Sequence, residues 1–196
     1  MYPSAALSGP RLLIALLFAL APGIASAGGA FLAKGGVVRL ADDTQSLDAA
    51  QMRTFDETSQ STMGLSIEAR KRSGVTFGAE FLTFRHDFTP PFADPGEGRV
   101  WVLQFIGKKY FFDQGPVHPF IGAGLGPARV RYSYNNAGNK YSDDDIVLTL
   151  NATVGLELRF DNLSFMLEAR NMYFDTESGK YDPSGVAVLA GFGFNW

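Results

Sequence analysis

Residues 146–160, "IVLTLNATVGLELRF", alternate without a break. Ile146, Leu148, Leu150, Ala152, Val154, Leu156, Leu158 and Phe160 share one side, and Val147, Thr149, Asn151, Thr153, Gly155, Glu157 and Arg159 share the other. Successive side chains of a strand point to opposite faces, so this two-residue period is the mark of a strand. Strands in soluble domains usually run about 5–6 residues. A strand that crosses a bilayer needs about 9–11, plus whatever stands clear of it. The length of this one segment already narrows the kind of sheet the chain can build.

The period returns in seven further segments: 30–40, 62–71, 74–86, 99–110, 118–130, 163–174 and 184–196. Met63, Leu65 and Ile67 oppose Gly64, Ser66 and Glu68. Phe77 and Phe81 oppose Gly78 and Glu80. Trp101, Leu103 and Phe105 oppose Val102, Gln104 and Lys108. Segment 30–40 is mixed on both faces, and the favoured parity turns Lys34, Val38 and Leu40 to the polar side. Short turns fall near 71–74, 111–116 and 161–162, and long polar connections at 42–61, 87–98, 135–144 and 175–183. An even number of strands, joined by short turns at one end and long loops at the other, is the layout of an outer-membrane barrel. The expected fold is all-β: an eight-stranded antiparallel transmembrane barrel, an up-and-down meander.

The two faces decide which side meets lipid. Arg or Lys facing lipid costs about 2–4 kcal/mol at the midplane. The apolar, aromatic face therefore points outward, and the face holding Glu, Arg, Gln and Asn among glycines points into the lumen. A soluble eight-stranded barrel would reverse this.

The ends of the chain agree. "RLLIALLFALAPGIASA" has a basic start, an apolar run, a Pro/Gly break and the small-residue site Ala25-Ser26-Ala27. Residues 1–27 are expected to be a cleaved signal peptide, leaving 28–196 as the barrel. The far end, "GFGFNW", keeps Phe192, Phe194 and Trp196 on alternate positions. An open edge in lipid would leave backbone groups unsatisfied, so the last strand must close on the first. A terminal aromatic also resembles the signal that outer-membrane barrels present to their assembly machinery. The expected location is the bacterial outer membrane, reached through the periplasm. Expected partners are outer-membrane lipids and lipopolysaccharide, for a monomeric chain. The absence of cysteine excludes a disulfide scaffold and an N-acylated lipoprotein, and a net charge of −3 without a basic block gives nucleic acid no footing.

Glu-x-Arg occurs three times, as Glu68/Arg70, Glu157/Arg159 and Glu168/Arg170. All six point inward by parity. Hairpin pairing places Ser66 opposite Glu80, Glu68 opposite Gly78 and Gly155 opposite Glu168. With Glu80, Lys108 and Lys34, these residues form a lumenal charge network. It is either a selectivity or gating element or an ion-pair plug, since buried charges need partners and eight strands leave little more than side-chain room. Inward residues nearer the long loops are apolar: Leu82, Phe84, Val102, Val147, Met172, Phe174 and Leu189. They form either a pocket for a small hydrophobic ligand entering from outside or simple core filling. Phe120, inward but low, fits neither half. Tyr132, Tyr134, Tyr173 and Trp101 are assigned to the outer aromatic girdle. The acidic stretches 41–43 and 141–145 read as solvated loops.

His86 and His118, the two histidines, fall at opposite ends of the barrel. No convergent metal ligands and no Ser–His–acid set are visible, so neither a metal, a cofactor nor a catalytic step is expected. The stretches "GGAFLAKGGVVRLADD", "GVTFGAEFLTFRHDF", "HPFIGAGLGPARV" and "DNLSFMLEARNMYFDT", with the terminal aromatic, resemble the small outer-membrane barrels. They are most similar to the OmpW family, with the OmpA/OmpX-like barrel domains as the broader match. The resemblance implies a monomeric eight-stranded barrel with a hydrophobic lumenal pocket, implicated in the passage of small apolar compounds. The chain departs from that family in closing on Phe-Asn-Trp. The expected function is a barrel that binds or passes small hydrophobic molecules through its apolar outer lumen; an OmpX-like structural or adhesive barrel acting through its loops is the alternative, and an envelope lipid-modifying enzyme a more distant one.

Overall fold

A computed structural model describes residues 28–40, 60–71, 73–88, 94, 96–112, 115–177 and 182–196. The segment 1–27, expected to be a signal peptide, and the acidic stretch 41–43 lie outside the described residues. Eight strands follow in order: β1 (Gly29–Leu40), β2 (Gln60–Arg70), β3 (Val75–Phe88), β4 (Gly96–Tyr110), β5 (Val117–Asn136), β6 (Asn139–Phe160), β7 (Leu163–Phe174) and β8 (Gly185–Asn195). Each pairs antiparallel with its sequence neighbour, and β1 pairs with β8 to close the barrel. This is the expected up-and-down meander.

Closure runs to the last residue. Gly29 donates its amide to the Trp196 carbonyl at 3.1 Å, and Trp196 returns the bond to Gly29 at 3.1 Å. The Trp196 indole covers Gly29 from outside. A Cβ at position 29 would lie 2.4 Å from that ring, so any side chain there would push the terminal aromatic off the seam.

The polarity of the wall is that of a membrane barrel. The exposed large apolar residues belong to the outward parity of every strand, among them Met63, Phe77, Phe105, Ile121, Val154, Leu167 and Phe192. The opposite parity is buried and carries Lys34, Glu68, Glu80, Gln104, Lys108, Glu157, Glu168 and Arg170. In β1 the favoured parity is the one adopted: Lys34 and Val38 are buried, while Val37 is exposed. Ser66 faces Glu80, Glu68 faces Gly78 and Gly155 faces Glu168, in the expected registers.

One connection differs. The expected polar loop 135–144 is a hairpin, with β5 and β6 extending for 20 and 22 residues. The turn is Ala137 and Gly138, with φ of 50° and 82°, the left-handed pair that a two-residue hairpin requires. Tyr134 stacks on Tyr141 at 5.2 Å, and Arg129 and Arg131 both bind Asp144. The stretch reads as a loop because it is polar on both faces. It is a strand pair because these contacts and the backbone ladder join its two arms without needing an apolar face.

Candidate functional site

The lumen is filled in three layers. The lowest lies at the short-turn end. Arg70 and Arg159 clamp Glu157 from two sides, at 2.6 Å and 2.9 Å. Lys108 meets Glu68 at 2.5 Å. Arg70 also donates to the Asn195 side chain at 2.7 Å, tying the floor to the closing strand. Phe120, which the sequence left unplaced, belongs here. It faces Gly155 in register, packs on Tyr110 at 5.2 Å and lies under the Lys108 ammonium at 4.9 Å. Arg159 caps the Tyr110 ring from 4.3 Å. These cation–π contacts help to offset the cost of burying the charges.

The middle layer is a lock between strands that are not neighbours. Lys34 of β1 pairs with Glu80 of β3 and lies 3.3 Å from Glu168 of β7. Arg170 pairs with both Glu80 and Glu168. Gln104 donates to Glu80 at 2.8 Å, and Asn151 donates to Gln104 at 2.5 Å, extending the network to β4 and β6. Two cations face two carboxylates, and their side chains are 0–1% exposed. Such charges persist in a low-dielectric interior only where each is paired and hydrogen-bonded.

Above the lock is one apolar cluster. Of the expected pocket residues, Leu82, Phe84, Val102, Met172, Phe174 and Leu189 are buried in it, and Val147 packs at its margin. Phe84 and Phe174 meet edge to face at 6.5 Å. The cluster also holds Val38, Val100, Ala128, Val130 and Ala187. Val100, Ala128, Val130 and Ala187 went unnamed in the sequence, although the two-residue period already gives them the parity of their neighbours. Tyr132 is a correction: it packs against this cluster rather than in the outer girdle, since it shares the inward parity of Val130. Tyr134 follows the same parity into its stack on Tyr141. Tyr173 does stand on the lipid side, 55% exposed, and Trp101 shares the outward face of β4. Phe192, Phe194 and Trp196 are outward and about half exposed at the short-turn end.

A second charged region lies outside the wall, at the long-loop end. Arg129 grips Asp144 with two bonds, at 2.7 Å and 2.6 Å, and Arg131 adds another at 2.7 Å. The hydrogen bonds from Arg129, opposed by partial burial and reinforced by Arg131, lower the Asp144 carboxyl to about 2. Glu97 binds Arg99 and, at 2.5 Å, Arg85. The bond from Arg99 holds its pKa below the ordinary value. Asp144 is thus no solvated loop acid. The sequence concealed this cluster because its members lie far apart along the chain and converge only through the β3–β6 registers.

His86 faces Gly98 near the long-loop end of β3. His118 lies at the other end, where its Nδ1 donates to the Phe112 carbonyl at 2.8 Å. The structure therefore keeps the two histidines apart. Among the described residues no three His, Asp or Glu side chains gather as metal ligands.

A closed wall, an apolar exterior, an ionic interior and strands long enough to span lipid define the class: a transmembrane β-barrel of the bacterial outer-membrane type. Solved structures share the fold. Neisserial surface protein A is 14% identical with a TM-score of 0.62, over 86% of this chain and 97% of that one. Ail, the attachment invasion locus protein of Yersinia pestis, is 16% identical with a TM-score of 0.58, over 87% and 99%. Ail in complex with the heparin analogue sucrose octasulfate is 16% identical with a TM-score of 0.54, over 86% and 99%. No family model and no curated protein matches the chain.

Proposed function

We propose that the protein is a closed outer-membrane barrel that acts at the cell surface, through the structure it holds above the bilayer, without a catalytic step. The observation that carries this reading is the lock of Lys34, Glu80, Glu168 and Arg170, whose fully buried side chains join β1, β3 and β7 across the lumen. A solute on a straight path would have to pull both cations away from both carboxylates. The region of the barrel open to a partner is the long-loop end, where the β5–β6 hairpin rises past its neighbours. The name of one structural neighbour, Ail, the attachment invasion locus protein of Yersinia pestis, supports the same direction.

A second reading, the OmpW-like one, is favoured by the apolar cluster above the lock. There a small hydrophobic molecule would displace Phe84 or Phe174 side chains and be held short of the ionic layer. On either reading, Phe192, Phe194 and Trp196 are the segment presented to the assembly machinery, and outer-leaflet lipids are the immediate surroundings.

Planar-bilayer conductance and apolar-solute uptake into vesicles separate the two readings. The surface reading expects neither activity in the native barrel and the appearance of conductance when the lock is opened by Lys34→Ala with Glu80→Ala. Uptake by the native barrel that is lost in Phe84→Glu would establish the second reading in its place.

A further inference from the structure

The outward face of β3, β4 and β5 carries a row of arginines. Arg85 faces Arg99 in register, and Arg99 faces Arg131. Neighbouring strands are about 4.8 Å apart, and like charges placed directly opposite destabilise a sheet. Three guanidinium groups in one row are therefore not there for the stability of the sheet itself.

Carboxylates offset the row incompletely. Glu97 is shared by Arg85 and Arg99, and Asp144 by Arg131 and Arg129. Asp87 reaches Arg85 only at 3.6 Å and is 73% exposed. Lys140 adds a further cation beside Arg99 and Arg131, on the rim of an open depression of about 650 Å³. Asp143 also borders that depression, but it pairs with Tyr132 and has the opposite parity on β6. Among the described residues of this patch, the outward cations Arg85, Arg99, Arg129, Arg131 and Lys140 stand against Glu97, Asp144 and Asp87, in a chain whose net charge is −3. All four guanidinium groups remain about half exposed.

Position identifies the occupant. Toward the short-turn end, the next outward residues on β4 and β6 are Trp101 and Ile146, and Ile146 is 78% exposed. Arg129 lies over the Trp101 ring at 5.9 Å. The row stands just beyond this aromatic edge on the outward face, which in a barrel that spans lipid is the level of the head groups. Guanidinium forks match phosphate oxygens two at a time. We infer that the Arg85–Arg99–Arg131 row, with Lys140, docks the phosphate of an anionic outer-leaflet lipid. This rests on the membrane orientation of the barrel and is independent of whether its lumen admits solutes.

The test uses the folded full barrel in nanodiscs of phosphatidylcholine mixed with phosphatidic acid, with retained lipid read by native mass spectrometry. The expected result is preferential retention of phosphatidic acid, reduced about fivefold for each arginine neutralised in Arg99→Gln and Arg131→Gln. Arg99→Lys should recover only a fraction of the preference, because the charge remains but the fork is gone. Circular dichroism and heat-dependent gel mobility report whether each variant is folded, and the single variants serve where the double fails. Equal retention of the two lipids would overturn the proposal. So would a preference unchanged in the folded variants. Equal displacement by inorganic phosphate or by a sulfated oligosaccharide would show a general anion site and overturn the lipid assignment.

Discussion

Phe120 and Gly155 form one unit. A Cβ at position 155 would lie 2.4 Å from the Phe120 ring and 2.7 Å from the Leu167 carbonyl. The missing side chain makes room for the ring that Lys108 sits on. Gly155→Ala should therefore destabilise the barrel by about 1–3 kcal/mol, as overpacking does. Combined with Phe120→Ala, it should cost less than the sum of the two single changes, with a coupling within the range of about 0.5–3 kcal/mol usual for contacting residues. The check is a double-mutant cycle by urea unfolding in lipid vesicles, and strictly additive effects would dissolve the unit.

The β5–β6 hairpin and the lumenal lock work at the scale of elements, and they fail in different ways. The Asp144 carboxyl is lowered to about 2 by Arg129 and Arg131, below an unfolded value of about 3.9. A depressed carboxylate stabilises at pH values above its unfolded pKa, and that contribution is lost as pH falls through the folded one. The hairpin should accordingly loosen between about pH 4 and pH 2. Trp101 emission in a Trp196→Phe background would follow it, and Asp144→Asn should show the acid-state signal already at neutral pH. The lock is buried, and its failure mode is loss of a partner. Glu80→Gln leaves Lys34 and Arg170 short of one charge and should cost about 3–5 kcal/mol. An unfolding midpoint equal to that of the native barrel would mean that Lys34 and Arg170 had found other partners.

The whole molecule depends on its surroundings. Its outward face exposes Phe31, Phe77, Phe105, Phe165, Phe192 and Phe194, far more apolar surface than a soluble monomer tolerates. A polypeptide of residues 28–196 should aggregate in plain buffer and fold in detergent or lipid, with the heat-dependent gel mobility of a closed barrel. Size-exclusion chromatography checks this. A monodisperse, folded monomer without detergent would invert the assignment of the two faces, and the surface and lumen readings would both lapse.

How much of this was legible before folding follows from the range of each interaction. Side-chain alternation is local, so the strand order, the inward parity of Glu68, Glu80, Glu157 and Glu168, and the turns at 71–74 and 161–162 were present in the sequence. Nearest-strand pairs such as Ser66 with Glu80 were also there, because a short turn sets the register of its own hairpin. The polar stretch 135–144 was misread as a loop for the same local reason: without a bilayer, alternation carries no apolar mark. Tyr132 was misplaced because its residue type suggested a girdle while its parity pointed inward. What only the closed barrel decided is which inward residues meet. Lys34, Glu80 and Arg170 lie on β1, β3 and β7, and Arg85, Arg99 and Arg131 come into line through two successive registers. The sequence by itself determined the face on which each side chain lies, since that depends on a two-residue repeat. The tertiary structure alone decided the partner of each charge, since that depends on where closure brings distant strands together.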